Sequence, residues 1–150
     1  MKITSINIFN NLVINNSNKI IVLKFTATWC GPCQRIKTQY DNLSSEYPNI
    51  VFTEIDVDEM EKLTEHFEVS SMPTFIFIKS HQKKYETLEK IKGANINSVK
   101  QTCTKLLKIL ELENMSVDNS VGHQEQVENT QQEPESYSAE NTHSNIDFNN

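Results

Sequence analysis

Residues 20–25, IIVLKF, form a nearly continuous apolar run rich in β-branched side chains. A half-exposed strand would alternate apolar and polar positions, and this run does not. It has the pattern of a strand buried on both faces, which needs a sheet covered on both sides. TFIFI at 74–78 repeats that pattern directly after Pro73. VFTEIDV at 51–57 reads as another strand, and KYETLEKI at 84–91 as a weaker one. Helical periods lie between them. Ile36, Tyr40, Leu43 and Tyr47 recur at intervals of 4, 3 and 4, one face of a helix that Pro48 helps to stop. Met60, Leu63 and Phe67 mark a short helix. Beyond a break at Gly93, Ile96, Val99, Cys103, Leu106 and Leu110 form the stripe of a last one. At the N-terminus, ITSINI (3–8) is a candidate strand, while FNNLVINN (9–16) is ambiguous, with a short helix as one reading. Strands alternating with helices predict the α/β class, a central sheet flanked by helices on both faces. The runs 74–78 and 84–91 lie close enough for an antiparallel hairpin, so the sheet is expected to be mixed.

Charge divides the chain. All 14 Lys and Arg lie at or before Lys108, so residues 1–112 carry a net +2 and residues 113–150 a net −8. The second segment has few large apolar residues and no apolar period. It cannot bury enough surface to offset the entropy of ordering, so an acidic, disordered tail is expected over 113–150. Residues 1–112 suffice for one stable domain. The tail reads as a solubilising extension, or as a segment that docks or screens basic partners. Nothing in the charge balance points to nucleic acid. No run nears the ~20 apolar residues of a membrane span. The start, MKITSINIFNNLVINN, has one lysine and no apolar run of signal-peptide length. A reducing, cytoplasmic compartment and a monomer are expected.

TWCGPC at 28–33 carries the chemistry. A bare C-x-x-C fits a metal clamp, a structural disulfide or a working redox pair. Three cysteines are far too few for a disulfide-stapled scaffold, and a reducing compartment disfavours a permanent bridge. A structural zinc site wants four ligands. Cys103 lies far off on an apolar stripe, and His66 and His81 show no partner spacing and read as solvated surface residues. Asp56 and Asp58 lack further ligands, so no metal is expected. The motif follows a buried strand and opens a helix. Cys30 then sits at a helix N-terminus, where free N–H groups and the helix dipole favour a thiolate. Spacing i, i+3 keeps Cys33 within reach on the same face. Pro32 suits the first turn, and Gly31 lets a partner backbone approach. Cys103 reads as a buried apolar filler.

TWCGPC after a buried strand, with SMPTFIFI some forty residues later, closely resembles the thioredoxin family, over roughly residues 1–112. The resemblance implies the thioredoxin fold and a protein-disulfide reductase working by thiol–disulfide exchange. It implies that Cys30 attacks a substrate disulfide and that Cys33 resolves the mixed disulfide. It implies a cis bond at Met72–Pro73, the natural place for one, with the Met72 backbone binding the substrate chain as an added strand. Trp29 resembles the family's active-site tryptophan and Asp58 the acid that holds its indole N–H. Gly93 and Ala94 resemble the small-residue rim of the substrate groove. The partners implied are disulfide-containing proteins and thioredoxin reductase, an NADPH-dependent flavoprotein, with no cofactor bound in this chain. A second reading is a binding or assembly module of the same fold with little redox turnover.

Three positions depart from the family. Its buried aspartate six residues before the first cysteine is here Lys24, and the lysine that often faces it is Glu54. One reading is a salt bridge that satisfies a partly buried charge. The other is that Lys24 tunes the cysteines and makes the couple more oxidising. Thr38 stands where many members have a helix-kinking proline, so a straighter helix is expected. The turn SHQKK (80–84) lacks the usual glycine, so a looser hairpin is expected.

Overall fold

The computed structural model describes residues 1–118 and 142–144. Its elements, in chain order, are α1 (Ile6–Asn15), β1 (Ile20–Thr26), α2 (Gly31–Arg35), α3 (Lys37–Glu46), β2 (Ile50–Asp56), α4 (Glu61–His66), β3 (Thr74–His81), β4 (Lys84–Lys92), α5 (Ile96–Asp118) and β5 (Thr142–Ser144). The sheet order is β2-β1-β3-β4-β5. β1 runs parallel to β2 and antiparallel to β3, and the β3–β4 and β4–β5 pairs are antiparallel. The mixed sheet expected from the sequence is therefore present.

β1 is central, and all seven of its residues are buried. Alternate residues point to opposite faces. Ile21, Leu23 and Phe25 pack with Phe9, Leu12 and Val13 of α1, with Leu63 of α4 and with Phe67 just past its end. Ile20 and Val22 pack on the other face with Tyr40 and Leu43 of α3 and with Val99, Cys103 and Leu106 of α5. Lys24 follows Val22 on that second face. It is held in direct register with Glu54 of β2.

Four expectations change. The candidate strand at 3–8 holds no strand: Ser5 is a helix cap and Ile6–Ile8 are the first turn of α1. The Ser5 side chain caps α1 by accepting from the Ile8 N–H at 3.2 Å. Phe9, Leu12 and Val13 then give the stripe its helical spacing. Only Lys2 pairs, as an isolated bridge to Glu54. The helix after the cysteines is split. Ile36, buried on the α3 face with φ −100° and ψ 0°, separates α2 from α3, so the missing proline at Thr38 does not straighten it. The β3–β4 turn is tight, not loose: His81 pairs with Lys84, leaving Gln82 and Lys83 to turn. Gln82 takes φ 57° without being glycine, and its N–H donates to Ser17 Oγ at 3.0 Å. Asn18 and Lys19 also bond the Ser80 backbone, so the α1–β1 loop clamps this end of the hairpin.

The fourth change is the boundary at residue 112. α5 continues to Asp118, and Glu113 reaches back to Lys79 of β3 at 2.5 Å. The expected disorder of 113–150 does not hold for 113–118, which continue α5; apart from the three-residue strand Thr142–Ser144, the rest of that expectation falls on residues outside those described. Among the described residues, no helix is long and apolar enough to cross a membrane.

The last buried residue of α5 is Leu106, so the core is closed before the helix ends. A chain ending at Asp118 should melt within a few degrees of the full chain in a calorimetric scan. Ending at Leu112 should add a loss of under about 1 kcal/mol, because Glu113, the residue lost from the Lys79 pair, is itself exposed. A fall in melting temperature of more than about 10 °C on truncation at Asp118 would show that the removed segment contributes more than the three-residue edge pairing of β5 with β4.

Candidate active site

β1 ends at Thr26, and four residues later the chain turns into α2 with Cys30 as its N-cap. Cys30 has extended backbone, φ −82° and ψ 106°, and its Sγ accepts the Cys33 N–H at 3.2 Å. Pro32 lies in the first turn, where a missing N–H costs no helical bond. Cys30 and Cys33 form a disulfide with Cα atoms 5.3 Å apart. α2 has only five residues, so a long helix dipole does not act on Cys30. The local N–H of Cys33 is the donor that stabilises negative charge on Cys30 in the reduced state.

Two distant loops meet this pair. The Met72–Pro73 peptide is cis, as the resemblance implies. The Met72 carbonyl oxygen lies 3.7 Å from Cys30 Sγ. Gly93 donates its N–H to the Pro73 carbonyl at 2.9 Å and has φ 97°, a conformation that side-chain-bearing residues rarely adopt. Exposed Ala94 follows it. The third rim element is Trp29, 66% exposed. Its indole Nε1–H donates to Asp58 Oδ2 at 2.9 Å. Asp56 holds that turn, accepting the N–H groups of Asp58 and Glu59 on Oδ1. The structure thus brings Trp29, Cys30, Gly31, Pro32, Met72, Pro73, Gly93 and Ala94 around one sulfur pair.

Lys24 and Glu54 lie behind it. Lys24 is 1% exposed, and its Nζ donates to Glu54 Oε2 at 3.3 Å. The same Nζ sits 4.8 Å from the centroid of the Tyr40 ring, within cation–π range. Tyr40 donates its hydroxyl to the Thr53 carbonyl at 2.7 Å, and burial pushes that phenol well above its ordinary value. The sequence stripe marked Tyr40 as core and carried no signal of its contact with Lys24.

A family model for thioredoxin matches residues 1–105. The chain belongs to the thioredoxin family. It is 40% identical to thioredoxin of Ictalurus punctatus over 101 residues, covering 66% of this chain and 91% of that one. Ovis aries thioredoxin is 39% identical over 99 residues, 66% of this chain and 90% of the relative. Among solved structures, thioredoxin of Fasciola hepatica superposes with a TM-score of 0.64 at 32% identity, covering 69% of this chain and 96% of the other. Thioredoxin of Schistosoma mansoni gives 0.64 at 33%, with 70% and 93% covered. As a thioredoxin, the chain is a thiol–disulfide oxidoreductase that reduces disulfides through the Cys30/Cys33 pair. Thioredoxins act on protein disulfides and are reduced by thioredoxin reductase.

The remaining candidates are structural. Cys103 is fully buried, and burial pushes its thiol up to about 12. His81 is exposed, as expected. His66 is exposed too, yet it is more than a solvated residue: its Nε2 lies 2.6 Å from the hydroxyl of buried Tyr85.

Two outcomes follow from this geometry. In the reduced protein at pH 7, iodoacetamide followed by mass spectrometry should label Cys30 first and leave Cys103 unlabelled until the chain unfolds. Early labelling of Cys103 would contradict its burial. Gly93→Ala should lower stability in urea titration by about 1–2 kcal/mol through its positive φ, since no neighbouring atom blocks the added methyl.

Proposed function

We propose that Cys30 is the attacking sulfur and Cys33 the resolving one, on protein substrates laid along the Met72 backbone. The observation that carries this is the position of Cys30. It caps α2, accepts the Cys33 N–H, and lies 3.7 Å from the Met72 carbonyl beside Pro73. A substrate chain extended over Met72 can pair with its backbone as an added strand, which holds its disulfide against Cys30. Gly31, Pro32, Gly93 and Ala94 leave the approach low, and exposed Trp29 offers a flat apolar wall, fixed by Asp58.

The Cys30 thiolate attacks one substrate sulfur, and the other leaves as a thiolate that takes a proton from solvent. Cys33, having lost its proton, then attacks Cys30 Sγ. The Cys30–Cys33 bond forms, and the second substrate sulfur leaves with the electron pair and is protonated. Two electrons have passed from the dithiol to the substrate. NADPH-dependent flavoprotein thioredoxin reductase returns the pair to its dithiol, so no cofactor need reside in this chain. We further propose that it works as a monomer in the cytoplasm, without nucleic acid. The low cysteine count and net charge of −6 support that setting.

Insulin reduction with dithiothreitol tests the assignment. Wild type should accelerate precipitation of the insulin B chain, and Cys30→Ser should reduce the rate at least a hundredfold. Cys33→Ser should accumulate a mixed disulfide with a disulfide-bearing substrate, seen as a shifted band that thiol reduction removes. The roles would be reversed if Cys30→Ser trapped substrate and Cys33→Ser did not.

A further inference from the structure

We infer that Lys24 is a positioning charge behind Cys33 that biases the Cys30/Cys33 couple towards its dithiol form, with Glu54 attenuating it. The inference rests on that pair being the redox couple proposed above. Lys24 and Asp56 are the charged side chains buried among the described residues, and Lys24 is the more deeply buried. A charge in the interior costs several kcal/mol unless partnered. Lys24 has two partners, the Glu54 carboxylate and the face of Tyr40. Both fix where its ammonium points.

Lys24 and Cys33 both line a cavity of about 90 Å³. The other charged groups on the cavity wall are Glu54 and Asp56 of β2, Lys37 of α3 and Lys2 of the N-terminal segment. Three cations therefore face two carboxylates across it. The carboxylates are poorly placed to cancel Lys24. Asp56 spends Oδ1 on two backbone N–H groups, and the Glu54 side chain is 29% exposed, so water screens it. Lys2 and Lys37 are exposed and screened likewise, each with an acidic partner of its own, Glu59 and Asp41. Lys24 and Asp56 are the two charges on this wall that water does not reach, and the backbone N–H dipoles already spent on Asp56 leave the ammonium the larger field at Cys33.

Charge on the sulfurs differs between the two redox states. The disulfide is neutral, whereas the dithiol can lose a proton and carry a thiolate. A fixed ammonium stabilises the thiolate and leaves the disulfide unaffected. It shifts the equilibrium with glutathione, in which the protein disulfide and two glutathione thiols give the protein dithiol and one glutathione disulfide. Two electrons and two protons move from glutathione to the protein. Lys24 favours the right-hand side, which makes this chain a more oxidising thioredoxin.

Glutathione equilibrium at pH 7 and low salt, quenched in acid and read by mass spectrometry, tests this without any substrate turnover. Lys24→Met should raise the constant for oxidation of the protein by about tenfold, which is about 30 mV more reducing. Glu54→Gln should lower it several-fold, because the ammonium loses its attenuating partner. Lys24→Arg, which keeps the charge, should stay within twofold of wild type. A purely structural ion pair would instead lower the unfolding midpoint in both Lys24→Met and Glu54→Gln and leave the constant unmoved. Constants within twofold for those two variants, or shifts of the same sign, would overturn the inference. Should Lys24→Met fail to fold, Glu54→Gln, at a partly exposed position, decides alone: no decrease sinks the idea. Failure of insulin reduction beside opposed shifts would sink the proposed function and leave this inference standing.

Discussion

β1 is hydrogen-bonded along both edges and buried on both faces, and every functional position is measured from it. Its pairing with β2 and β3 fixes where Thr26 ends, and the turn into α2 then places Cys30. Its pairing with β3 sets Thr74 beside Phe25, which brings Met72 and Pro73 to the same end of the sheet. The Gly93–Pro73 backbone bond adds the end of β4. Removing β1's apolar burial would scatter three loops that share no local sequence.

Much of this was legible in the chain. IIVLKF and TFIFI read as doubly buried strands because neither leaves a wet face. The motif TWCGPC, with Pro73 farther on, identified the site and its cis bond. The errors arose where a few local groups override pattern. Ser5 capped a helix in what looked like a strand. Ile36 broke a helix whose apolar spacing ran through the break unaltered. Ser17 and the 18–19 backbone held Gln82 in a turn that lacked its glycine. None of these is a periodic signal, because each depends on one hydrogen bond or one buried side chain meeting a partner distant in sequence. Lys24 was visible as an anomaly, and its pairing with Glu54 could be anticipated. Its seat on the Tyr40 ring could not, since the stripe around Tyr40 reads equally well as plain core.

Lys24 also shows how a protein interior tolerates a full charge. The lysine stem crosses a core face apolar on either side, and only its head needs a partner. An aromatic face and a half-wet carboxylate supply that partner without closing the cavity towards Cys33. A fully paired, fully buried bridge would stabilise the fold no better and would hide the charge from the sulfur. The arrangement trades some stability for an electric field where the reaction occurs.

The rim of the groove has a different history available to it from the sulfur pair. Trp29 with Asp58, the 70–72 loop, and the 93–95 loop each hang from the end of a separate strand, and most of their side chains face solvent. A substitution on one rim loop is not obliged to disturb the other two. The sulfur pair sits in a dense, buried setting, while the solvent-facing surface beside it is divided into three independently editable parts. Single surface changes on one loop can therefore reshape the approach to the sulfur pair while the buried pair and Lys24 behind it stay as they are.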